Sequence, residues 1–549
     1  MNKTILPVIT GLSCGALVTQ ATPAQKPNIL IIVADDMGYS DAGCYGGEIK
    51  TPVLDGLASR GLRFTQFYNT GRCWPSRSSL LTGYYPQAIR RDNLTGFQRD
   101  PKVPTGGAGG IRPRWAQLLP VYLKPLDYRS YVSGKWHVDG KPLQNGFDHS
   151  FITSNEFGFF RAADDTRDDV KQPPVPEGEG SYSTIRIADH AIQFLKEHAA
   201  KYPGQPFFQY LAFHSPHFPI HALPEDIAVY NGRYQSGWDA LREERFKRMK
   251  EMGLIHCSLS PLDPEIIPAW NFPEAKLKQM IGENEVAYAF PWNTLSPGQK
   301  EFQAKKMAVH AAMVHRMDME IGRVLDQIRS MGVLDNTIVI FVSDNGASAE
   351  QIIRGDGHDP TAPVGSSKSY LGIGPGWSGA ANTPFRLHKS WNHEGGIATP
   401  FIVCWPAGIK ARGEIRNNPG HLVDLVPTLL DITGGKVPSL VSSLEVPPLP
   451  GKSLVPAFKK DGSVKHRYLW WNHEGNRALR IGDWKLVADH NNPWELYDLS
   501  RDRSETQNLA GKYPEKVQEL EKEWTRHARE FDVLSQQDKP APPVKKGKQ

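Results

Sequence analysis

The sequence predicts an α/β fold, a sandwich built on a large and mostly parallel sheet. Four apolar runs have the length and the β-branched or aromatic content of strands buried on both faces. They are residues 28–34, 207–213, 337–342 and 400–405. Amphipathic segments with the helical period lie between these runs, most clearly at 183–200 and 297–332. Strands that alternate with long helices are typical of a parallel sheet covered by helices.

Polar residues directly follow three of these predicted strands. Asp35-Asp36 come after the first run, His214 to His217 after the second and Asp344-Asn345 after the third. Ligands of open α/β sheets bind at the carboxyl ends of the strands. We therefore expect these side chains to form one site at that edge of the sheet.

The length of 549 residues predicts one large domain and a smaller one. A Pro-rich stretch at 435–456 marks a boundary, and short antiparallel strands followed by a helix near 514–530 are expected beyond it. Segments 93–110 and 153–182 are expected to be surface loops near the site. The predicted organisation is a signal peptide at 1–24, the main domain at 25–440 with an insertion at about 219–297, a C-terminal α+β subdomain at 457–535 and a disordered basic tail at 536–549.

The N-terminus has the pattern of a secretory signal peptide. Met-Asn-Lys precedes an apolar stretch at 4–18 and small residues near Ala24, and the stretch is too short and too broken by glycine to span a membrane. Export to the periplasm or the medium is therefore expected. Leu12-Ser13-Cys14 resembles a lipoprotein acylation site, but Gly11 stands where an aliphatic residue is expected, so anchoring is less favoured. No other segment approaches a transmembrane length.

Charge and cysteine content exclude two classes of protein. The formal net charge is +5, but four lysines lie in the last eleven residues, so a nucleic-acid partner is not indicated. Of the five cysteines, Cys14 falls in the predicted signal peptide and Cys73 in the string described next. The remaining three allow at most one bridge, which excludes a dense disulfide framework.

Residues 73–83 (CWPSRSSLLTG) predict a loop that turns into a helix at a cysteine. Pro75 suits the first helical turn, and the helix would direct its free amides and positive dipole end toward the Cys73 side chain. An anion is stabilised at such a position, and Arg77 adds a fixed cation. A buried thiol before an ordinary helix is the alternative.

The same string matches C-x-P-x-R-x-x-x-L-T-G at every defined position, and the chain thereby resembles the type I sulfatases. The resemblance spans about residues 27–490, and the segment from Gly237 (GWDALREERFKRMKEMGLI) is similar to bacterial arylsulfatases. It implies an alkaline-phosphatase-like sandwich and an exported hydrolase of aryl sulfates or sulfated carbohydrates. It also implies that a maturation enzyme oxidises Cys73 to Cα-formylglycine.

Oxygen donors that follow two strands indicate a divalent cation. Carboxylate and amide oxygens suit Ca²⁺ or Mg²⁺, and the lack of a His/Cys set argues against zinc. Each acidic pair, taken alone, is more often a solvated turn or a helix cap than a metal site. The resemblance implies that the D-D pair and the later D-N-G hold the ion, usually Ca²⁺ with Mg²⁺ as the alternative. The implied metal ligands are Asp35, Asp36, Cys73, Asp344 and Asn345.

Further basic residues match motifs of the same family. Lys135 and His137 stand in G-K-W-H after a strand-like run at 129–133; in a strand they would share one face, and a solvent-facing pair on an edge strand is the alternative. In F-H-S-P-H-F-P the resemblance assigns the catalytic role to His217, with His214 as a neighbour. Lys389 precedes H-E-G-G, where an exposed loop lysine is the alternative.

The resemblance implies a mechanism for these residues. A hydroxyl of the hydrated aldehyde at position 73, held by the cation and Arg77, attacks sulfur, while Lys135 and Lys389 neutralise the sulfate. His217 and Lys389 assist the leaving oxygen. The bound sulfate is then eliminated when His137 takes the proton of the second hydroxyl.

Two other functions remain open from the sequence. Related α/β metalloenzymes hydrolyse phosphate or phosphonate esters, and some phosphonate hydrolases also use formylglycine. A non-catalytic anion-binding or glycan-binding relative is expected if Cys73 stays unmodified. We also expect His473 and Glu474 to line the substrate pocket.

Overall fold

The computed structural model describes residue 1 and residues 26–92, 110–154, 158–175, 181–354, 357–490 and 492–538. The strands are β1 (Asn28–Ala34), β2 (Leu62–Tyr68), β3 (Arg129–Gly134), β4 (His149–Ile152), β5 (Thr166–Arg167), β6 (Val170–Lys171), β7 (Phe207–Ala212), β8 (Thr337–Ser343), β9 (Ala398–Cys404), β10 (Glu414–Arg416), β11 (Gly420–His421), β12 (Leu440–Val441), β13 (Leu444–Glu445), β14 (Leu469–His473), β15 (Asn476–Ile481), β16 (Trp484–Ala488) and β17 (Glu495–Asp498). The α-helices are α1 (Pro52–Arg60), α2 (Cys73–Thr82), α3 (Leu119–Leu123), α4 (Ser183–Lys201), α5 (Pro224–Ala228), α6 (Gly237–Glu251), α7 (Glu274–Met280), α8 (Pro297–Ser330), α9 (Gly374–Ala381), α10 (Glu394–Ile397), α11 (Leu425–Thr433), α12 (Val455–Lys459) and α13 (Pro514–Gln536).

The large sheet has the strand order β10-β2-β9-β8-β1-β7-β3-β4-β5-β6, with β11 beside β2. β1 pairs in parallel with both β7 and β8, and β7 pairs in parallel with β3. Among the described strands of this sheet only β9 and β5 run against the others. The predicted mostly parallel α/β sheet is confirmed.

Both faces of the sheet are covered, because every residue of β1, β7, β8 and β9 is buried. Alternate residues of β1 enter different cores. Leu30 and Ile32 pack with residues of α1, α4 and α8, whereas Ile29 and Ile31 pack with residues of α2 and α11. This explains why β1 is a continuous apolar run in the sequence.

The predicted insertion contains a helix that hydrophobic periodicity does not reveal. α6 is strongly polar, yet it buries Trp238 and Leu241 together with the guanidinium of Arg245. Arg245 donates to Asp41 at 2.8 Å and to Glu48 at 2.8 Å. A charged residue on the inner face obscures the apolar stripe by which amphipathic helices are recognised.

The C-terminal subdomain contains the expected short antiparallel sheet, in the order β14-β15-β16-β17. The predicted C-terminal helix is present as α13 and continues to Gln536. Trp470 and Leu479 of the sheet pack with Trp524 and Phe531 of α13 in a separate core. The same core includes Tyr84, Tyr85 and Trp115, so the subdomain shares its apolar packing with the main domain.

One prediction about local structure is wrong. β3 ends at Gly134, so Lys135 and His137 follow the strand instead of continuing it, and His137 has φ 51°. Gly134 itself has φ 114° and approaches β7 so closely that a Cβ would lie 1.9 Å from the carbonyl oxygen of Ala212. The chain therefore turns out of the sheet at this glycine, and the alternation expected of a strand does not apply beyond it.

Several expectations concern residues outside the described part of the chain. These are the signal peptide, most of the tail, loop residues 93–109, and residues 155–157 and 176–180 of the second loop. In the part that is described, Cys44, Cys73, Cys257 and Cys404 all carry free thiols. No helix of the described ranges combines the length and apolar character that crossing a membrane requires.

Candidate active site

The sheet topology brings the predicted polar residues together. β8, β1, β7 and β3 are adjacent and parallel, so the segments that follow them emerge at the same edge. Those segments carry the predicted site residues Asp344, Asn345, Asp35, Asp36, His214, His217, Lys135 and His137.

The reversed strand β9 adds Lys389 to this edge. Since β9 runs against β8 and β2, the segment that precedes it lies beside the segments that follow those two strands. The amide of Gly346 donates to the carbonyl oxygen of Gly396 at 3.0 Å. A Cβ on Gly346 would lie 1.9 Å from the Gly395 carbonyl oxygen, so this close contact between the D-N-G and H-E-G-G segments requires glycine.

Cys73 is the first residue of α2, as its place in the string predicts. Its side chain is buried. Burial raises the pKa of its thiol, and the charges of Asp35 and Asp344 act in the same direction. The ammonium groups of Lys135 and Lys389 act against this shift. The side chain thus lies at a helix N-terminus, within electrostatic reach of acids and bases of the site.

Arg77 lies on the first turns of α2 and is fully buried. Its Nε and Nη2 both lie 2.8 Å from Oδ2 of Asp344, and Nη2 lies 3.9 Å from Oδ2 of Asp35. Burial alone would lower the pKa of Arg77, but these carboxylates hold it above its usual range. Arg77 is therefore a fixed positive charge beneath residue 73.

Two lysines are paired with the first acidic pair. Lys135 donates to Asp35, and Nζ of Lys389 lies 2.8 Å from Oδ1 of Asp36. Burial opposes ionisation of Asp35, yet the charge of Lys135 brings its pKa well below the usual range. The pKa of Lys389 is raised despite burial, because Asp36 and Glu350 lie beside it. Lys389 is therefore cationic at neutral pH.

The oxygen donors suit a divalent cation. Oδ1 of Asp35, Oδ1 of Asp344 and Oδ1 of Asn345 are buried and lack a hydrogen-bond partner. Oδ1 of Asp36 accepts a hydrogen bond from the side-chain amide of Asn345 at 2.6 Å. Buried polar atoms are rarely left unpaired, and hard oxygen donors are the ligands that Ca²⁺ and Mg²⁺ prefer. Donor atoms of Asp35, Asp36 and His217 also lie within 4.8 Å of one another.

Three histidines surround this centre, and burial lowers the pKa of each. Nε2 of His217 lies 3.7 Å from Oδ2 of Asp36. Burial lowers the pKa of His217 to about 4. The pKa values of His137 and His214 fall well below the usual range, with Lys135 adding to the effect of burial. Nε2 of His214 lies 3.0 Å from the carbonyl oxygen of Thr153, which holds the ring in place.

Residues of the site that the sequence analysis did not identify include Arg72, Trp270 and Glu350. Oε2 of Glu350 lies 3.2 Å from Nζ of Lys389, and its Oε1 lies 3.2 Å from Arg72. Arg72 stands directly before Cys73, with its guanidinium 4.9 Å from the ring centre of Trp74 and 4.8 Å from that of Trp270. Only the position of Arg72 beside the cysteine could have drawn attention to it.

The C-terminal subdomain also reaches the site, in part as expected. Glu474, in the turn between β14 and β15, lies 3.7 Å from Arg72 and is partly exposed. His473 is fully buried, with Nδ1 3.3 Å from Asp92 and its ring 5.7 Å from that of Trp74. The two side chains approach each other, with Nε2 of His473 3.6 Å from Oε2 of Glu474, although His473 is buried and Glu474 is partly exposed. That both residues line the substrate pocket stays a prediction.

Strained backbone occurs beside these groups. Non-glycine residues with positive φ include Asp36 at 64°, Ser390 at 81° and Glu474 at 49°, in addition to His137. Such conformations cost free energy and persist where the surrounding structure imposes them. Their position beside the site indicates that exact side-chain placement is retained at some expense of stability.

Comparison with family models agrees with this geometry. Residues 27–435 match the sulfatase family, and residues 386–531 match the C-terminal region of N-sulphoglucosamine sulphohydrolase. The first match covers the large sheet, and the second covers the C-terminal sheet and most of α13.

Individual relatives extend over most of the chain. An uncharacterized sulfatase of Schizosaccharomyces pombe is 33% identical over 556 residues, covering 94% of this chain and 96% of the relative. An arylsulfatase of Klebsiella aerogenes is 30% identical, covering 79% of this chain and 92% of the relative.

Solved structures share the fold. One, of a protein in complex with its substrate D-glucosamine-2-N,6-O-disulfate, has a TM-score of 0.60 at 22% identity and covers 92% of this chain and 98% of that one. The sheet order, the buried acidic and basic centre at its edge and these matches agree. The chain belongs to the sulfatase family of sulfuric ester hydrolases.

Proposed function

We propose that the mature protein is an exported sulfatase that hydrolyses sulfate monoesters through a formylglycine formed from Cys73 and a bound divalent cation. One observation carries this proposal. A buried cysteine at a helix start interacts electrostatically with Asp35, Asp344 and Arg77. The segments after β1 and β8 also carry three buried oxygens without a hydrogen-bond partner, on Asp35, Asp344 and Asn345. This combination supplies a nucleophile position, an ion site and fixed positive charge in one place.

The divalent cation and the aldehyde at position 73 have distinct roles in the proposed chemistry. Asp35, Asp36, Asp344, Asn345 and residue 73 would hold the ion, which neutralises charge on a bound sulfate. The aldehyde would supply, as its hydrate, an oxygen nucleophile and a route for releasing sulfate that a thiol lacks. Because a separate enzyme must form it, the partner that we propose is a formylglycine-generating enzyme.

The chain's own bases orient and neutralise the sulfate. Lys135 and Lys389 are held by Asp35 and Asp36, so their ammonium groups need little reorganisation when an anion binds. His217 lies beside the same carboxylate as Lys389. The negative charge of a bound sulfate would favour its protonated form, in which it would protonate the leaving oxygen. His137 lies within electrostatic reach of Lys135 and Arg77 and carries a buried Nδ1 without a partner, which is available to take a proton.

Aryl sulfates and sulfated carbohydrates are the substrates that we propose. The arylsulfatase of Klebsiella aerogenes supports the first class, and the sugar disulfate bound to the structural neighbour supports the second. The test is release of inorganic sulfate from 4-nitrophenyl sulfate by the matured protein. Faster hydrolysis of the matching phosphate or phenylphosphonate ester would favour the alternative phosphoester or phosphonate hydrolase.

Cation binding is expected to stabilise the fold measurably. Addition of Ca²⁺ to chelator-treated protein should raise the midpoint of thermal unfolding, because an ion at about one hundred times its Kd adds about 2.7 kcal/mol to the stability of the native state. Asp35→Asn should remove most of this shift. Glu243→Gln, on the exposed side of α6, is the matched control and should retain it. An equal shift in Asp35→Asn would exclude the proposed ion site.

The effect of replacing His217 on kcat/KM is expected to depend on the leaving group of the substrate. His217→Ala should lower kcat/KM for alkyl sulfates by about 10²–10⁴-fold, the usual contribution of a general acid. The loss should be smaller for 4-nitrophenyl sulfate, whose phenolate leaves without protonation. Parallel assays of an alkyl and an aryl sulfate measure this difference. Equal losses for both substrates would contradict a proton-donating role.

A further inference from the structure

A cavity of about 470 Å³ lies beside the site, between the predicted insertion and the C-terminal subdomain. Its described lining includes Glu265, Pro268, Trp270, Trp391, Glu474 and Asp489. Ser390, which also lines it, directly follows Lys389 in the chain. The cavity is therefore adjacent to the groups that would bind sulfate.

A second connection runs through Trp270. Its indole N–H donates to Oε1 of Glu350 at 2.8 Å, and Oε2 of the same carboxylate lies 3.2 Å from Nζ of Lys389. The organic part of a sulfate ester bound at Lys389 would therefore find this cavity within reach. A volume of about 470 Å³ lies within the range of small-molecule pockets and is large enough for a single ring.

Two indoles offer surfaces for such a ring. Trp270 is 37% exposed, with the guanidinium of Arg72 covering its ring on one side at 4.8 Å from the ring centre. Trp391 is only 6% exposed, and its Nε1–H is buried without a hydrogen-bond partner. A buried donor without a partner is costly and is satisfied when a ligand supplies an acceptor. An oxygen-bearing ring would provide one.

The charge of the lining is acidic. It includes the carboxylates of Glu265, Glu474 and Asp489, and none of its described residues is Lys or Arg. The nearby Arg72 lies 3.2 Å from Glu350 and 3.7 Å from Glu474, so it offsets Glu474 in part. Among the described residues, no ion pair offsets Glu265 or Asp489. Anionic groups are therefore disfavoured in this cavity, and cationic groups are favoured.

We infer that this cavity binds the organic part of the substrate, and that it selects a monosulfated ring that is neutral or bears an amine over a ring with a second acidic group. The inference rests on the proposed sulfatase function, since the sulfate must occupy the neighbouring centre. It extends that function by assigning a charge class to the substrate. Glu265 and Asp489 determine this selectivity without touching the sulfate.

The test uses three aryl sulfates of similar size and leaving group: 4-(aminomethyl)phenyl, 4-ethylphenyl and 4-(carboxymethyl)phenyl sulfate. At low ionic strength kcat/KM should be at least about tenfold higher for the amine than for the carboxylate, with the neutral compound between them. The ratio should decrease as salt is added, because the interaction is electrostatic. A ratio near one in the unmodified protein would overturn the inference.

Charge-neutral variants identify the source of the ratio. The double variant Glu265→Gln/Asp489→Asn should reduce the amine-to-carboxylate ratio to within about threefold. Glu243→Gln, a carboxylate outside the cavity, should leave the ratio unchanged. Because each ratio is measured within one protein, partial unfolding of a variant cancels. An unchanged ratio in the double variant would also overturn the inference.

Failure of the inference and failure of the proposed function have different outcomes. If the matured protein hydrolyses 4-nitrophenyl sulfate but treats the three charged and neutral esters alike, only the cavity assignment is wrong. If it releases sulfate from none of these esters, the proposed function itself is wrong.

Discussion

Replacement of Cys73 by alanine is expected to abolish sulfate ester hydrolysis, with kcat lowered by at least about 10⁴-fold, the scale of losing a covalent nucleophile. Alanine retains the helix start and removes only the sulfur from which the aldehyde would be formed. The buried charges of Arg77, Lys135 and Lys389 remain paired with their carboxylates, so the fold should persist. Sulfate release and thermal unfolding of the same preparation measure both effects.

The matched control is Cys404→Ala, which removes another buried thiol in β9. It should retain activity. Mass spectrometry of the peptide with residue 73 should show active wild-type protein about 18 Da lighter than the thiol form, since a carbonyl oxygen replaces the sulfur and two hydrogens. Full activity with an intact thiol would contradict the formylglycine mechanism.

Lys485→Met is expected to cause the largest loss of stability among substitutions outside the site. Nζ of Lys485 in β16 lies 2.9 Å from Glu394 in α10 and 2.7 Å from Glu505, and all three side chains are fully buried. Arg503 donates to the other oxygen of Glu394 at 2.9 Å. Removing one partner of such a group leaves buried negative charge uncompensated, which costs about 3–5 kcal/mol. Chemical denaturation of wild type and variant measures the difference.

A surface ion pair provides the control for this substitution. Lys516 lies 2.8 Å from Glu519 on the outer side of α13, and Lys516→Met should change the free energy of unfolding by less than about 1 kcal/mol. If Lys485→Met changed stability as little, the buried network would not hold the C-terminal sheet to the segment before β9. Loss of that contact would also displace Lys389, which shares this segment.

The same network predicts how stability depends on pH. Burial alone would raise the pKa of Glu394, but Lys485 and Arg503 lower it to about 2. The unfolded value is about 4.3, so the stabilisation is complete above that pH and is lost as pH falls through about 2. Stability should therefore decline between about pH 4.3 and pH 2. The decline should be smaller in Lys485→Met, and an unchanged pH profile would contradict this assignment.

Local patterns were sufficient for the elements of the main sheet. β1 and β8 are continuous β-branched runs because both faces are buried, and the structure confirms them within one residue of the predicted ends. α2 begins at Cys73, where proline in the first turn predicts a helix start. α8 begins after Ser296, which forms a capping box with Gln299. Each of these features depends on neighbours in the sequence.

Features that depend on distant contacts were not predictable in the same way. The apolar run that forms β9 does not reveal that this strand is antiparallel to β8, yet that direction brings Lys389 to the site. Glu350 has no recognisable motif, and its pairing with Lys389 and Arg72 joins segments far apart in the chain. The contacts of Glu474 with Arg72 and of His473 with Asp92 likewise join the β14–β15 hairpin to segments far away in the chain.

The sequence by itself determined the family, the α/β class and the residues with the required chemistry, because a cysteine string at a helix start and acids after strands are local patterns. Only the tertiary structure decided which strands are neighbours, and therefore which charges meet. It paired Asp35 with Lys135, Asp36 with Lys389, and Arg77 with Asp344. The physical reason is that ion pairing and burial depend on distances of a few ångströms between segments, and strand order, which sets those distances, is not encoded by periodicity.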